Sequence, residues 1–515
     1  MDRMSGFEPE GGSSILSGGI EQQRMKELLK KILPESFILA YHYFLSVLAV
    51  FIYGFPSRKM VVIGVTGTKG KTSTANFIWA CLNAGGKKTG IITTANIRIG
   101  EDESLNNYHM TMPGRFSIQK TLAKMVKAGC KFCVVETTSQ GIRQYRHIGV
   151  DYDFAVFTNL TPEHISAHKD FSEYKKMKGK MFATLAQSKV KKIDNHGAVA
   201  EWSFCQNLHI LVNFVLNFLA NITILPQKFI TKFPQNLKIY DQKTIRRQPH
   251  KKIEKTIIVN FDSEHKDYFL DFASDKRITY GLEGGDFVAK IMEENDSGVK
   301  FQVGESLFKI NILGKFNVYN TLPAIIIARI FDIKDEAIGV GLLNLKIIPG
   351  RMEEINEGQN FKLFIDYAHE KASMTGALLA VNKIKKEGEN KIIVLLGAEG
   401  GGRDKTKRFE MGEVAAKMAD YVIASNVDPY NDDPREIVED IVLTAEKFGK
   451  IRNENLFLIE DRREGIKKTI TLAKSGDIVL ITGKGAEQTM IIGGKTIPWD
   501  DRVVAREELR KYLRQ

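Results

Sequence analysis

One stretch near the start of the chain, residues 61–76 with the sequence VVIGVTGTKGKTSTAN, restricts the possible folds most strongly. It opens with an apolar, β-branched run, which is typical of a buried parallel strand. A glycine-bearing turn and a Gly-Lys-Thr triplet follow, and residues 73–84 are expected to form a helix. Glycines let backbone N–H groups face an anion, and the helix N-terminus adds the positive end of its dipole. The stretch therefore predicts a phosphate-binding loop between a strand and a helix.

The lysine and the hydroxyl of the triplet have separate tasks in such a loop. Lys71 is placed to contact the β- and γ-phosphates of ATP, and Thr72 to bind Mg²⁺. The spacing is the compact GTxGKT rather than GxxxxGKT. The loop residues that we expect to contact ATP are Gly67, Thr68, Lys69, Gly70, Lys71, Thr72 and Ser73.

The charge of the chain is compatible with several partners. The 515 residues carry a net charge of +12, with a pI near 9.2, which fits nucleic acid, a membrane surface or an anionic substrate. No RNP, zinc-finger or helix-turn-helix pattern supports nucleic acid, so we predict none as a partner. Nucleotides and nucleotide sugars are anionic as well. The four cysteines are few for this length, and reduced thiols in the cytoplasm fit best.

From Val61 onward, apolar strand patterns alternate with helical patterns. This order predicts an α/β protein with a doubly wound, mostly parallel central sheet of the phosphate-loop type, followed by a C-terminal Rossmann-like α/β domain. We place a short N-terminal region at 1–57, a central ATP-binding domain at 58–348 and a C-terminal domain at 349–515. Ligands of such sheets gather where the strands end, so Glu136 is expected beside Lys71.

Two apolar segments do not follow this pattern. Residues 37–53 carry no formal charge and lie at the lower length limit for a membrane span. We expect either a helix packed against the protein or a membrane contact. Residues 193–252 are flanked by the similar sequences KKID and KKIE, and removing them restores a continuous helix, loop and strand. We interpret this segment as an insertion.

The ordered motifs between residues 61 and 504 resemble the Mur ligase family, most closely its UDP-N-acetylmuramoyl-tripeptide synthetases. After the phosphate loop come FCVVE, which ends at Glu136, then TNLTPEH and a Tyr-x-x-x-Lys-x-x-x-Phe helix. The resemblance implies ATP-dependent amide bond formation through an acyl phosphate in peptidoglycan precursor synthesis. It also implies ATP and Mg²⁺ as cofactors, a UDP-muramoyl dipeptide and a free amino acid as partners, and a monomer in the cytoplasm.

The resemblance further implies a two-metal site. Glu136 corresponds to a magnesium ligand, and His164 to a metal-binding histidine, with His168 as a weaker candidate. Lys178 corresponds to the family lysine that reacts with CO₂ to give a metal-binding carbamate. Lys175, Lys176 and Lys180 are alternatives to Lys178. The predicted metal ligands are Thr72, Glu136, His164 and carbamylated Lys178, and the predicted catalytic residues are Lys71, Lys178, His164 and Glu136.

Further motifs resemble the family's substrate contacts. Gln140 departs from the pattern, because the family usually has histidine there. Members also carry a full N-terminal domain that holds the uridine, so uridine recognition by residues 1–57 is expected to be reduced or rearranged. By this resemblance, ATP contacts Asn317, Asn320, Arg351 and Asp366, and the UDP-muramoyl dipeptide contacts Thr111, Met112, Pro113, Thr138, Ser139 and Arg146.

The segments that resemble the family's amino-acid pocket depart from its pattern. Tyr430 stands where diaminopimelate-adding members have arginine, and Ala486 stands where the family has histidine. The acidic run 431–433 suits an ammonium side chain. L-Lysine or another diamine is therefore favoured over meso-diaminopimelate, which stays open. The predicted contacts to the incoming amino acid are Arg408, Asp428, Pro429, Asp432, Gly483 and Glu487.

Two other functions remain alternatives at this point. A related ligase of the folylpolyglutamate or cyanophycin type would share the phosphate loop, although the motifs Asp-Tyr-Ala-His at 366–369 and Gly-Lys-Gly-x-Glu at 483–487 argue against it. A decayed protein that binds a nucleotide without turnover would explain Gln140 and Ala486. Amino-acid-dependent phosphate release separates these functions.

Overall fold

The computed structural model describes residues 35–108, 110–161, 170–193, 199, 251–386, 388 and 390–515. Within these ranges, two large β-sheets carry helices on their faces, and each sheet belongs to a different part of the chain. The first sheet ends at Ile310 and the second begins at Glu353. The fold predicted from the sequence, a mostly parallel central sheet followed by a second α/β unit, is confirmed.

The first sheet has eleven strands in the order β13-β12-β11-β10-β9-β6-β1-β5-β2-β3-β4. Its central strands are parallel, whereas β2-β3-β4 at one edge and β11-β12-β13 at the other pair antiparallel. The strands are β1 (Val61–Thr66), β2 (Thr89–Ile92), β3 (Asn96–Ile99), β4 (Asp102–Leu105), β5 (Phe132–Glu136), β6 (Phe154–Phe157), β9 (Thr256–Asn260), β10 (Lys276–Gly281), β11 (Phe287–Asn295), β12 (Gly298–Val303) and β13 (Ser306–Ile310).

Strand β1 shows why the central strands are apolar without interruption. All six of its residues are buried. Successive side chains of a strand point to opposite faces of the sheet. Val61 and Ile63 accordingly enter one hydrophobic core, and Val62 enters the core on the other face. Because helices cover both faces, neither face of β1 needs polar residues.

The helices of this first unit pack on both faces of the sheet. On one face, α2 packs against α7 and α8. On the other face lie α3 and α5. These and the neighbouring helices are α2 (Lys71–Ala84), α3 (Arg115–Lys127), α4 (Ser139–Arg143), α5 (Phe171–Gln187), α6 (Lys266–Leu270), α7 (Phe316–Ile330) and α8 (Asp335–Asn344).

The second sheet has the order β14-β15-β19-β16-β17-β18 and is parallel except for the short edge strand β14. A hairpin, β20-β21, follows it. The elements are β14 (Glu353–Glu354), β15 (Lys362–Asp366), α9 (Lys371–Ile384), β16 (Ile392–Leu396), α10 (Thr406–Met418), β17 (Tyr421–Ala424), α11 (Pro434–Lys447), β18 (Leu456–Leu458), α12 (Arg462–Leu472), β19 (Ile478–Thr482), β20 (Thr489–Ile492), β21 (Lys495–Pro498) and α13 (Asp501–Tyr512).

The apolar segment expected at 37–53 forms helix α1 (Glu35–Ile52), which precedes a short 3₁₀ turn, Pro56–Lys59. Helix α1 packs along α3, and Val50 lies against Gly149. Its opposite face exposes Phe37 and Tyr41. None of the helices in the described ranges is long and apolar enough to cross a membrane.

The two ends of the predicted insertion lie side by side. Strands β7 (Lys192–Ile193) and β8 (Lys251–Lys252) pair antiparallel. Just outside them, the buried carboxylate of Asp153 accepts from Lys191 Nζ at 2.6 Å and from Lys255 Nζ at 2.8 Å. Residues 194–198 and 200–250, which include most of the segment 193–252, lie outside the described residues.

Candidate active site

The phosphate loop joins the end of β1 to the start of α2, as the sequence predicts. Gly67 and Gly70 have φ angles of 152° and 77°, which side-chain-bearing residues rarely adopt. A Cβ atom on Gly67 would collide with Thr158, and one on Gly70 would collide with Asn320. Both positions therefore need glycine for conformation and for space. The ammonium group of Lys71 folds back onto the carbonyl oxygen of Thr68 at 2.8 Å.

A carboxylate and hydroxyl groups converge beside the loop. Glu136, at the end of β5, is only 2% exposed. Its Oε2 accepts from Thr72 Oγ1 and from the backbone N–H of Thr94, each at 2.8 Å. Its Oε1 accepts from Thr94 Oγ1 at 3.0 Å. Hard oxygen donors of this kind suit Mg²⁺, so the residues present fit the metal that the phosphate loop implies.

Lys178 reaches the same loop from helix α5. It is 2% exposed, and its Nζ donates to the carbonyl oxygen of Gly67 at 2.6 Å. The ring of Tyr174, one turn earlier, lies 4.5 Å from this ammonium group, and its hydroxyl is 3.2 Å from Thr68 Oγ1. Of the four candidate lysines, Lys178 is thus buried at the phosphate loop, whereas Lys175 lies over the ring of Tyr268. His164 and His168 lie outside the described residues.

The second unit contributes side chains to the phosphate loop. Arg351 follows the first unit, and its Nη2 lies 3.4 Å from Thr72 Oγ1. Its guanidinium also stacks on the ring of Tyr367 at 4.2 Å. Asp366, at the end of β15, accepts from the backbone N–H groups of Met352 and Ala368, each at 2.8 Å. Burial raises the pKa of Asp366, while Arg351 opposes this shift.

Asn317 and Asn320 lie at the N-terminal end of α7, next to the phosphate loop. Both are buried. Asn320 Nδ2 donates to Asn317 Oδ1 at 2.9 Å, and Asn317 Nδ2 donates to the carbonyl oxygen of Leu313 at 2.7 Å. Asn320 also packs against Gly70. These contacts place the pair where it can border a nucleotide bound by the loop.

The predicted contacts to the UDP-muramoyl dipeptide lie on the other side of Glu136. Thr111 Oγ1 is 2.8 Å from Thr94 Oγ1, which itself bonds Glu136. The carbonyl oxygen of Met112 accepts from Arg146 Nη1 at 2.6 Å. A chain of contacts therefore connects the carboxylate of Glu136 with Arg146. Thr138 caps helix α4, since its Oγ1 accepts from Gly141 N at 3.1 Å.

In the second unit, a buried lysine holds two carboxylates in place. Lys484 is fully buried and donates to Asp428 Oδ2 and to Glu487 Oε2, each at 2.7 Å. Burial alone would lower the pKa of Lys484, but the carboxylates of Glu487 and Asp428 raise it. Burial raises the pKa of Asp428. The hydroxyl of Tyr367 bonds Glu487 at 3.1 Å, so Glu487 is shared between the lysine and the tyrosine.

Arg403, and not Arg408, extends into this region. Arg403 Nε lies 3.2 Å from Glu399, whose charge raises the pKa of the guanidinium, and its side chain also bonds Tyr430. Tyr430 has a φ of 56°, and its ring lies against Gly401. Arg408 is 2% exposed and its Nη1 donates to Asp440 at 2.8 Å, outside the cavity.

Side chains of both units border one cavity of about 600 Å³, a size that suits a small-molecule ligand. The cavity is also bordered by Thr94, Tyr367, Glu399 and Arg403, which are not among the predicted site residues. Thr94 and Glu399 follow closely after parallel strands, and that position is the signal that would have found them.

The predicted residues that border the cavity are Thr68, Lys69, Gly70, Lys71, Thr72, Ser73, Thr111, Met112, Glu136, Thr138, Ser139, Arg146, Lys178, Asn317, Asn320, Arg351, Asp366, Asp428 and Glu487. The predicted residues of the described ranges that do not border it are Gly67, Pro113, Arg408, Pro429, Asp432 and Gly483.

Comparisons with known proteins agree with this architecture. The family profile "Mur ligase middle domain" matches residues 65–245 and 247–328, and "Mur ligase, glutamate ligase domain" matches residues 350–485. The UDP-N-acetylmuramoyl-L-alanyl-D-glutamate–2,6-diaminopimelate ligase of Geobacillus kaustophilus is 32% identical over 91% of this chain and 82% of its own length. The UDP-N-acetylmuramyl-tripeptide synthetase of Treponema denticola is 33% identical over 90% of this chain and 79% of its own length.

Solved structures support the fold alone. A structure of a UDP-N-acetylmuramoyl-L-alanyl-D-glutamate–2,6-diaminopimelate ligase matches with a TM-score of 0.52 and 24% identity, covering 88% of this chain and 79% of that one. Escherichia coli FolC in complex with DHPP and ADP matches with a TM-score of 0.59 and 14% identity, covering 94% and 99%.

Two α/β units border one cavity, with a phosphate loop on one side and a pocket of charged side chains on the other, and together with the ligase relatives they define an ATP-dependent ligase that joins an acid to an amine. The chain belongs to the Mur ligase family. As in this family, it uses ATP and Mg²⁺.

Proposed function

We propose that the chain joins an amino acid to the terminal carboxylate of UDP-N-acetylmuramoyl-L-alanyl-D-glutamate, in the cytoplasm and as a monomer, during peptidoglycan precursor synthesis. One observation carries the proposal: the phosphate loop and the pocket organised by Lys484 border the same cavity. An acid activated at the first wall can therefore meet an amine at the second wall without leaving the protein. Relatives that are 32–33% identical are named for this reaction or for tripeptide synthesis.

The proposed reaction has two steps. A carboxylate oxygen of the dipeptide attacks the γ-phosphorus of ATP, and the bond to the β-phosphate oxygen breaks, so that ADP leaves. The amine of the amino acid then attacks the acyl carbon, loses a proton, and inorganic phosphate leaves. Lys71 and Arg351 are placed beside Thr68 and Thr72 to offset negative charge on the transferring phosphoryl group.

The metal and its ligands follow from the same geometry. We propose that Thr72, Glu136 and a carbamate on Lys178 hold Mg²⁺ together with His164. The metal supplies charge neutralisation at the phosphate oxygens. Lys178 is buried, and its Nζ bonds the carbonyl oxygen of Gly67. A carbamate at this position would turn the ammonium group into an anion and add an oxygen ligand at the phosphate loop. This position of Lys178 supports the proposal.

The acceptor is an amino acid that carries a second amino group. Asp428, Glu487 and Glu399 give the pocket an excess of carboxylates over its cations, Lys484 and Arg403. Such a pocket favours ammonium groups. We propose L-lysine, another diamine or meso-diaminopimelate as the substrate. Tyr430 offers no charge to a second carboxylate, whereas several relatives are named as diaminopimelate ligases.

A screen of amino acids tests the proposal. Purified protein is incubated with ATP, Mg²⁺ and UDP-muramoyl dipeptide, and phosphate release is followed with each amino acid in turn. We expect release to require both the dipeptide and one diamino acid, together with a product whose mass equals their sum minus water. Phosphate release that no amino acid stimulates would contradict the proposal and favour a nucleotide-binding protein without ligase turnover.

A further inference from the structure

Helix α1 contacts the rest of the protein through one narrow face. Between residues 37 and 52, only Ser46, Ala49 and Val50 are buried. Through this face the helix packs along α3 and against Gly149. From residue 36 to residue 57 the sequence contains no Asp, Glu, Lys or Arg. The helix therefore has apolar surface that none of the described residues covers.

The exposed side chains of α1 form a stripe on the side that faces away from the protein. Phe37, Tyr41 and Ile52 are 57%, 56% and 60% exposed, and the half-buried Leu48 lies between them. Their spacing of four, seven and four residues places these four side chains on one face of an α-helix, opposite Ser46. Single exposed apolar residues are ordinary on a protein surface, but a continuous row of them indicates a contact surface.

A row of lysines lies on the neighbouring helix. Lys120, Lys124 and Lys127 of α3 are exposed. Their spacing places them on the side of α3 opposite Leu122 and Met125, which are buried in the hydrophobic core. Helix α3 contains no acidic residue, so no carboxylate of this helix neutralises the row. The positive charges therefore point outward beside the apolar helix α1.

The segments that build this surface carry charge of one sign only. Residues 36–59 and 115–131 together contain seven Lys and Arg residues and no Asp or Glu. Arg58 pairs with Asp151 at 2.7 Å, whereas Lys59, at the end of the 3₁₀ turn that follows α1, is exposed. The surface thus combines an apolar stripe with an excess of positive charge, and such a combination is typical of segments that bind anionic membrane surfaces.

We propose that helices α1 and α3 bind the surface of a membrane that contains anionic phospholipids. The stripe formed by Phe37, Tyr41, Leu48 and Ile52 enters the boundary between headgroups and acyl chains, where aromatic rings are favoured. The lysines of α3 contact the lipid phosphate groups. Because the opposite face of α1 is packed on α3, the helix lies along the membrane surface and remains part of the folded protein. This inference concerns where the enzyme works and does not depend on the proposed reaction.

Charge favours a lipid surface over a second copy of the chain. Two copies that met at this surface would bring their rows of lysines together, and like charges across an interface oppose association. Anionic headgroups neutralise the same lysines. The net charge of +12 acts in the same direction, because it draws the whole protein towards a negative surface.

Flotation of the full chain with vesicles tests the proposal. The vesicles consist of phosphatidylcholine, with or without one third of phosphatidylglycerol. We expect binding to the anionic vesicles to be at least tenfold tighter than binding to the neutral ones, and to weaken between ~0.1 M and ~1 M salt. Phosphate release without vesicles should be the same in every variant, because none of the substituted residues borders the cavity.

Two pairs of substitutions separate the apolar and the charged contributions. Tyr41→Asp with Ile52→Asp should weaken vesicle binding at least tenfold. Its control is Val340→Asp with Leu443→Asp, which places the same charges on exposed apolar positions of α8 and α11 and should bind within about twofold of that variant's net-charge effect on salt-screened binding.

The lysines are tested in the same assay. Lys124→Ala with Lys127→Ala should weaken binding to the anionic vesicles by about tenfold. The control removes two exposed lysines elsewhere, Lys383→Ala in α9 and Lys447→Ala in α11, and should change binding by about twofold or less.

Several results would overturn the proposal. Equal losses in the test variants and their controls would show that only the net charge matters and that α1 and α3 form no specific surface. Absence of vesicle binding, together with a dimer that Tyr41→Asp and Ile52→Asp dissociate in sedimentation velocity, would assign the stripe to a second copy of the chain. A monomer that binds neither type of vesicle would show that the stripe does not contact lipid. Vesicle binding by a chain that transfers no amino acid would refute the proposed reaction and leave the membrane surface confirmed.

Discussion

The two walls of the cavity differ in how they are built. At the phosphate wall, the loop between β1 and α2 supplies most contacts from one short segment, and Glu136 and Lys178 meet it from nearby elements. At the acceptor wall, Glu399, Asp428 and Glu487 come from three separated loops of the second sheet. The phosphate wall depends on backbone geometry, so its sequence tolerates little variation. The acceptor wall depends on side chains, so it sets the specificity for the amino acid.

The difference also appears in the balance of charge. Around the phosphate loop, the cations Lys71 and Arg351 lie beside Thr68 and Thr72. In the acceptor pocket, Lys484 is already neutralised by Asp428 and Glu487. Lys484 therefore holds the two carboxylates in place rather than binding a ligand itself. We expect substitutions at the first wall to reduce turnover and substitutions at the second to change which amino acid reacts.

The largest effect is expected from Lys71→Ala. Loss of this ammonium group removes charge stabilisation of the transferring phosphoryl group, and we expect kcat to fall by about 10³-fold. Steady-state phosphate release measures it. The control is Lys59→Ala, an exposed lysine of the 3₁₀ turn, which should keep at least half of the activity. Comparable losses in both variants would show that the effect is not specific to the loop.

Lys178→Ala should also remove nearly all activity, because the proposed carbamate would be lost. Lys175→Ala, on the same helix but over the ring of Tyr268, should stay within about threefold of wild type, as is usual for peripheral charges. Activity of the wild type should fall on removal of CO₂ and return with bicarbonate. If Lys175→Ala lost nearly all activity and Lys178→Ala kept it, the carbamate would have to be assigned to Lys175 instead.

Substitutions of Arg403 and Arg408 should affect different properties of the acceptor wall: the first should affect ligand binding and the second stability. Arg403→Ala should raise the KM for the amino acid by about 10-fold to 100-fold, the value of a charge-assisted contact, and leave the KM for ATP unchanged. Arg408→Ala should instead lower the free energy of unfolding by about 1–3 kcal/mol, since it leaves Asp440 without its 2.8 Å partner. A denaturant titration and amino-acid saturation curves distinguish them. A large KM effect of Arg408→Ala would restore its predicted role.

The smallest effect is expected from Tyr430→Arg. A guanidinium at this position can pair with a second carboxylate, so the ratio of kcat/KM for meso-diaminopimelate to that for L-lysine should rise by about tenfold. The backbone conformation at φ 56° strains tyrosine and arginine alike, and the substitution should change stability little. An unchanged ratio would mean that residue 430 does not face the side chain of the acceptor.

The sequence predicts the phosphate wall well because its signals are local. The order strand, glycine turn, Gly-Lys-Thr and helix can occur in few folds, and the structure has β1, the loop and α2 at those positions. The position of Glu136 at the phosphate loop, where it bonds Thr72, follows from the rule that ligand-binding groups gather where parallel strands end. Strands β9 and β17 likewise coincide with short apolar runs of the sequence, TIIVN and YVIA.

The acceptor wall was harder to predict because its contacts are long-range. Arg403 and Arg408 are the first and last residues of the sequence RDKTKR, and only packing shows that Arg403 borders the cavity whereas Arg408 is buried against α11. Insertion 193–252 and His164 remain predictions, since they fall largely or wholly outside the described residues.

Transfer of ¹⁸O from the substrate carboxylate tests most directly that the two walls act on one acyl phosphate. UDP-muramoyl dipeptide labelled in its terminal carboxylate is incubated with ATP, Mg²⁺ and the amino acid selected in the screen, and the released phosphate is analysed by mass spectrometry. We predict one ¹⁸O atom in each phosphate molecule and one retained in the new amide. Release of unlabelled phosphate would contradict the account, because it would show that ATP is hydrolysed without activation of the carboxylate.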